Sequence, residues 1–442
     1  MQTRADMSHQ NHFMRKLIHI FFILAVFTLG TTRLSAQEEY ETTYLSDDGY
    51  YITADGERKG DRGSSNVIGE RINELLKSRM FNASHVGIYV YDLTDGKEIY
   101  KYNESKRLRP ASNEKIVTAV TALDILSSNY NYQTKLYIDR SQYDDPESNE
   151  NSLISDEGTL DGNIYVRAGF DPLLSTSDLD NFVNSLKEHG VKRFNGDIII
   201  DQTMKDMTRL GKGWCWDDDE GVCTPMLLNG KDEFDRKFSE KLNTAGIEFS
   251  GYVRHDEVGE HTQLIYTHER NINEVLRPMM KSSDNTCAES MFFQIAMQSK
   301  RKFADLTDTQ ERINALVRKI GLDPDDYNFS DGSGLSIYDI VSAELIGKIL
   351  IYAYNDKNIY DYFLPSLPIA GVDGTLSKRM KNTTAENNVY AKTGTVTGVS
   401  TLSGYCTAAN GHRLVFSILN NGLRESKTGR EFQNKVCVAL TR

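Results

Sequence analysis

The chain has 442 residues, of which 39% are hydrophobic, 10% aromatic and 26% charged, an ordinary globular balance with length for more than one domain. Its formal net charge is −12 and no Lys/Arg block occurs, which argues against a nucleic-acid partner. Neither C-x-x-C nor H-E-x-x-H is present, so no metal site and no cofactor is expected.

At the N-terminus the basic pair Arg15-Lys16 precedes an apolar run, Leu17 to Leu29, and Leu34-Ser35-Ala36 supplies a small-residue cleavage site. This is the layout of a secretory signal peptide over 1–36, and the run is short for a membrane span. No Cys follows the run, so no bacterial lipid anchor is expected. Export is expected, to the periplasm of a Gram-negative-type bacterium or to the medium. Residues 37–62 are polar and read as a lead-in. Val67, Ile68, Ile72, Leu75 and Leu76 then have helical spacing. Alternating apolar residues on either side of Asp95-Gly96 predict a hairpin between His85 and Leu108. After Pro110 a helix is expected to begin at Ser112, with Ile116, Val117, Val120 and Leu123 on one buried face.

From about 132 to 268 the pattern changes to short strands near 135–139, 163–167 and 197–201, with helices near 179–189 and 231–245. Beyond Ile272 the chain reads as mostly helical, including stretches near 308–320 and 342–354. Strands follow near 389–397, 401–407 and 413–419, then a helix over 425–440. The expected division is a discontinuous domain formed by 63–134 and 269–442, with an inserted α/β subdomain at 135–268. The C-terminal helix lacks a basic flank, so no amphipathic membrane anchor is expected. Of the five cysteines, Cys215 and Cys223 are close enough in sequence to pair, Cys406 with Cys437 is a looser pairing, and Cys287 reads as a small buried apolar residue.

Three motifs carry the chemistry: Ser112-Asn113-Glu114-Lys115, Ser283-Asp284-Asn285 and Lys392-Thr393-Gly394-Thr395. Amide hydrolysis through serine needs a nucleophile, a base, oxyanion donors and a proton path to the leaving amine. At a helix start, residues three apart share a face, so Lys115 as general base reaches the Ser112 nucleophile. The helix N-terminus also favours negative charge developing there. Glu114 points elsewhere and reads as a surface charge. Ser283 is placed to relay a proton and Asn285 to hold the substrate backbone. Lys392-Thr393-Gly394-Thr395 sits in β-type sequence, where Gly394 admits a close backbone. Lys392, Thr393 and Thr395 would hold a terminal carboxylate, and the N–H groups of Ser112 and Thr395 would form the oxyanion hole. Decoys exist: Ser299-Lys300-Arg301-Lys302 and Lys427-Thr428-Gly429 match the first and third patterns but lie in polar stretches.

With these motifs the chain resembles the class C low-molecular-mass penicillin-binding proteins, D-alanyl-D-alanine carboxypeptidase/endopeptidases of the S13 serine peptidase family. Arg109-Pro110-Ala111-Ser112, Gly169-Phe170-Asp171-Pro172, Gly196-Asp197, Trp214, Ala288-Glu289, Asp331-Gly332-Ser333-Gly334-Leu335-Ser336 and Gly371-Val372-Asp373-Gly374-Thr375-Leu376 extend the likeness across most of the chain. The resemblance implies an α/β (α+β) transpeptidase-like domain, with an antiparallel sheet and a helical lobe. A subdomain is inserted between the first two motifs, shorter here than in the family's larger members. It also implies peptidoglycan stem peptides and cross-links as substrates, and β-lactams as acylating inhibitors. A serine β-lactamase shares the motif trio, but Glu240-Lys241-Leu242-Asn243, the nearest string to E-x-x-L-N, has the wrong spacing and precedes Ser283. The other alternative is a non-catalytic penicillin- or cell-wall-binding protein.

Overall fold

The computed structural model describes residues 65–442 except 142–152, 216–217, 219–222 and 300–302, together with three short strand segments upstream. The chain divides into two compact units, Met1–Asp61 and Arg62–Arg442. In the first, Tyr51–Ile52 pairs antiparallel with Tyr44–Leu45 and with Arg58–Lys59. The expected signal peptide lies outside the described residues.

The second unit starts with α1 (Ser65–Leu76) and the hairpin of β1 (His85–Asp92) and β2 (Lys97–Tyr102). The Asp92 carboxylate closes that turn by accepting the N–H groups of Thr94 and Asp95. The helix expected at Ser112 starts later. Ala111–Asn113 form one 3₁₀ turn, and α2 (Glu114–Leu126) follows it. Every residue of α2 from Glu114 to Leu123 is buried. The expected single buried face is therefore too narrow a reading, because other helices enclose this one on all sides.

β3 (Asn131–Asp139) opens the inserted region, which continues with β4 (Ile164–Arg167), α3 (Leu179–Glu188), β5 (Ile198–Asp201), α4 (Phe234–Thr244), β6 (Val253–His255) and β7 (Thr262–Asn271). The strands lie in the order β6-β5-β4-β3-β7. β4, β5 and β6 run parallel, as crossovers through α3 and α4 require, whereas β3 is antiparallel to both of its neighbours. Leu136, Ile138, Ile164, Val166, Ile198 and Ile200 from the sheet pack on Phe182, Phe234 and Phe238 from the helices.

The chain then builds a helical lobe around α2 from α5 (Ile272–Lys281), α6 (Asn285–Ala296), α7 (Leu306–Lys319), α8 (Ala343–Asn355) and α9 (Lys357–Ser366). Finally β8 (Tyr390–Val396), β9 (Val399–Thr407) and β10 (Arg413–Asn421) join the first hairpin in an antiparallel sheet, β8-β9-β10-β1-β2. The closing helix α10 (Ser426–Thr441) and α1 cover one sheet face, with Ile68, Ile72, Phe432 and Val436 against Ile88, Phe416 and Ile418. The helical lobe covers the other face, against Tyr89, Val415 and Leu419. β9 and β10 are consequently buried almost throughout, and β8 is left at the edge. Burying each such apolar side chain stabilises the fold by about 1.5–3 kcal/mol relative to exposure.

Neither suggested disulfide forms: all five cysteines are free. Cys406 and Cys437 sit in the apolar layer between the sheet and its covering helices, and Cys223 packs in a small cluster with Phe170 and Phe293. These thiols serve as small core residues. Only Cys215 is exposed.

Candidate active site

The turn that carries Ser112 is clamped from two sides by backbone. Ala111 has φ +46°, a left-handed conformation that costs a non-glycine residue energy and is retained where the surroundings enforce it. On one side lies Gly334, where an added Cβ would come within 1.9 Å of the Ala111 carbonyl oxygen. On the other lies Gly394, where a Cβ would meet Thr401 Oγ1 at 2.1 Å and both Pro110 O and Ser112 N at 2.9 Å. Thr401 Oγ1 donates to the Pro110 carbonyl at 2.8 Å, and Asn113 Nδ2 donates to the Lys392 carbonyl at 2.9 Å. The turn is thus stitched to β8 and β9, and Ser112 is left partly accessible beside the edge strand. Asn113 was invisible as a site residue in the sequence, since only its long-range partners reveal its role.

The first turn of α2 brings Lys115 back beneath Ser112. Its Nζ lies 3.1 Å from Ser112 Oγ, and it donates to Asn285 Oδ1 at 2.5 Å and to the Ser333 carbonyl at 2.8 Å. The lysine is fully buried. Asn285 opens α6, immediately after the corner formed by Ser283 and Asp284. Ser283 has φ +65°, and Asp284 caps α6 by accepting the Cys287 N–H at 2.8 Å. Lys392, on β8, donates to Ser283 Oγ at 2.8 Å. Burial, reinforced by the charge of Lys115, pushes the Lys392 ammonium well below the usual lysine range. Thr393 Oγ1 meets Thr375 Oγ1 at 2.8 Å, and Thr395 is exposed further along the strand. All eight residues singled out in the three motifs therefore converge, whereas the decoy Lys427-Thr428-Gly429 lies in the first turns of α10. Glu240–Asn243 lies on α4 in the inserted region. A cavity of about 560 Å³ lined by Arg140, Ser155, His189 and Lys192 also lies in that region, and no motif residue borders it.

Behind the site is a loop whose family likeness was legible but whose work was not. Asp331 accepts the N–H groups of Ser333 (3.1 Å), Gly334 (2.6 Å) and Ser336 (2.7 Å) and the indole N–H of Trp214 (2.9 Å). It thereby shapes the stretch that presents the Ser333 carbonyl to Lys115. Glu114 corrects the sequence reading. It is no surface charge but fully buried, and neither carboxylate oxygen has a hydrogen-bond partner. Burial first, and then Asp331 and Glu289, push its carboxyl well above the usual range. Burial, and then Asp331, push Glu289 up to about 8, and Asp339 is raised by burial and by Asp331 and Glu114. Hydrophobic periodicity could not anticipate these acids, because a loop more than two hundred positions away buries Glu114.

A serine over a buried lysine, a left-handed serine corner and an edge strand with a second buried lysine define the class: an active-serine acyl-transfer enzyme. The chain belongs to the D-Ala-D-Ala carboxypeptidase 3 (S13) family, whose model matches residues 68–227 and 226–442. It is 25% identical over 445 residues to D-alanyl-D-alanine carboxypeptidase DacB of Haemophilus influenzae, across 80% of this chain and 90% of that protein. It is 26% identical over 453 residues to the D-alanyl-D-alanine carboxypeptidase of Actinomadura sp. (strain R39), across 80% of each. The crystal structure of penicillin binding protein 4 (dacB) from Haemophilus influenzae shares the fold, with a TM-score of 0.72 and 24% identity over 84% of this chain and 98% of that one. The resemblance read from sequence, the transpeptidase-like α/β fold and the enzyme class, a serine-type D-Ala-D-Ala carboxypeptidase, are borne out.

Proposed function

We propose that the chain hydrolyses the D-alanyl-D-alanine bond of peptidoglycan stem peptides, and the equivalent bond in cross-links, through an acyl-Ser112 intermediate. The observation that carries this reading is Lys115 Nζ at 3.1 Å from Ser112 Oγ inside a buried site. Lys115, in its neutral form, takes the Ser112 proton as Oγ attacks the carbonyl of the penultimate D-Ala. The N–H groups of Ser112 and Thr395 receive the oxyanion. Ser283, linked to Lys392, passes a proton to the leaving amine, and the terminal D-Ala or the neighbouring stem peptide departs. Asn285 holds the substrate backbone, while Lys392, Thr393 and Thr395 face its terminal carboxylate, and Gly394 leaves room for it against β8. Water then releases the acyl group. A β-lactam offers the same carbonyl and carboxylate but keeps its leaving group tethered, so it acylates Ser112 and stays.

The test is labelling of the purified protein by a fluorescent penicillin, with D-Ala release from a pentapeptide measured in parallel. Ser112→Ala is expected to abolish the label and to lower D-Ala release by at least about a thousandfold. Full labelling of the variant would refute the assignment of the nucleophile.

Export follows in the same reading, since a cell-wall substrate lies outside the membrane. The basic pair, apolar run and Ala36 support cleavage after residue 36. Among the described residues no helix is long and apolar enough to cross a membrane. The apolar side of α10 is occupied by the sheet, through Phe432, Val436 and Leu440, which supports the absence of an amphipathic anchor. A mature protein starting elsewhere than Gln37, or retained on membranes after a salt wash, would overturn this part.

A further inference from the structure

Glu289 stands one step behind the site and belongs to none of the three motifs. It lies buried on α6, one turn beyond Asn285, and both of its oxygens approach the Gly332 N–H, at 3.1 and 3.2 Å. The next residues of the same loop lead directly to the nucleophile. The Gly332 carbonyl accepts Thr118 Oγ1 of α2 at 2.8 Å, and the Ser333 carbonyl accepts Lys115 Nζ at 2.8 Å. Glu289 thus fastens the short loop on which Lys115 rests.

Its surroundings are crowded with acids. Glu114 faces it from α2, Asp331 from the loop, with Asp339 just beyond, and Cys223 lies near it from the inserted region. Lys115 is the basic side chain in this group, with Lys392 beyond it. Asp331, surrounded by four N–H donors, has a shell suited to an anion. A second anion in the same dry space would be poorly solvated and repelled by the first.

We propose that Glu289 is a positioning residue for acylation: through Gly332 and Ser333 it holds the carbonyl that grips Lys115, and it must keep its proton for Ser112 to react. Losing that proton places a new negative charge beside Lys115. The charge draws Lys115 toward its protonated form, in which it takes no proton from Ser112. It also opposes the negative charge that forms at the attacked carbonyl. The energetic cost of this second anion fits a carboxyl pushed up to about 8, so the loss falls on the alkaline side of the working range.

This inference rests on the reading of Ser112 and Lys115 as nucleophile and base. The experiment is the rate of fluorescent-penicillin labelling of the full chain from pH 6 to 10, for native protein and for Glu289→Gln, which keeps the shape and an acceptor for Gly332 N–H. The native rate is expected to fall about tenfold between pH 7 and pH 9, the behaviour of one essential proton lost near 8. In Glu289→Gln it is expected to change by less than about twofold over that span, whatever its absolute level. A variant whose rate falls as the native rate does, or a native rate that stays flat, overturns the proposal. Native protein that takes no label at any pH overturns instead the functional reading beneath it. Should Glu289→Gln fail to fold, infrared spectroscopy of the native protein decides. A buried protonated-carboxyl band that fades with a midpoint near 8, in step with labelling, supports the proposal, and a band unchanged up to pH 10 refutes it.

Discussion

The two five-stranded sheets of this molecule are built to different tolerances. In the catalytic sheet, β9 and β10 are buried almost end to end between helices on both faces, and Lys392–Thr395 lie on the edge strand β8. In the inserted sheet, β7 is half-buried for most of its length and β6 is largely exposed. The first sheet is tied to the Ser112 turn by contacts that leave no room for a methyl group. The second is held by a separate aromatic core around Phe182 and Phe238. The tight contacts of the catalytic sheet lie where a reacting oxygen must be placed, whereas the inserted region meets the helical lobe behind the site, through Trp214 to Asp331, Ser290 to the Phe170 carbonyl and Gln294 to the Gly169 carbonyl.

The comparison predicts that the smaller change, made in the catalytic sheet, has the larger effect on activity. Gly394→Ala puts a methyl group against Thr401, Pro110 and Ser112 N, and is expected to lower penicillin labelling about a hundredfold by displacing the nucleophile. Normal labelling of that variant would mean the site tolerates movement the packing denies it. Phe238→Ala removes a fully buried ring from the other core and is expected to cost about 3–5 kcal/mol in denaturant unfolding. The labelling rate of the variant that remains folded should nevertheless stay within about twofold of native. A collapse of labelling with intact structure would erase the distinction between the sheets.

A subtler difference concerns pH. Glu289 ordinarily titrates near 4.5 but is held up to about 8 in the fold, so between those values the folded state binds the extra proton. Stability contributed by this group is then present below about 4.5 and is lost as pH rises toward 8. Measured against Glu289→Gln, native protein should lose a few kcal/mol over that interval, a change visible as converging or crossing denaturation midpoints. Parallel midpoints at every pH would show that Glu289 is not buried as a neutral acid.

Much of this was legible in the sequence, for identifiable reasons. β8, β9, β10 and α10 fell close to their expected limits because their apolar runs are bounded by turn residues. The three motifs met as expected because each lies at the start of a helix or on a strand, where neighbours along the chain fix the direction of the side chain. What stayed hidden depended on distant contacts. α9, which contains an internal proline, Pro365, was not marked out as a helix of its own, and β7 lacks the strict alternation that marks a strand. The start of α2 was misplaced because Ala111 adopts a left-handed backbone, held by packing of its turn against Gly334 and Gly394. Glu114 was misread because a charge beside a motif is usually solvated, and nothing local announces that Asp331 and Glu289 will close over it.

The cysteines give the molecule its own unfolding clock. Four of the five thiols are buried, and burial holds Cys437 up at about 12 and pushes Cys223, Cys287 and Cys406 higher than ordinary thiols, so none presents a reactive thiolate while its surroundings stay closed. Cys215 alone should react at once with an alkylating reagent. Cys223 then reports opening where the inserted region meets the helical lobe, Cys287 reports the helical lobe, and Cys406 and Cys437 report separation of α10 from the sheet. The order in which their mass tags appear would rank the parts of the protein by how readily each comes open.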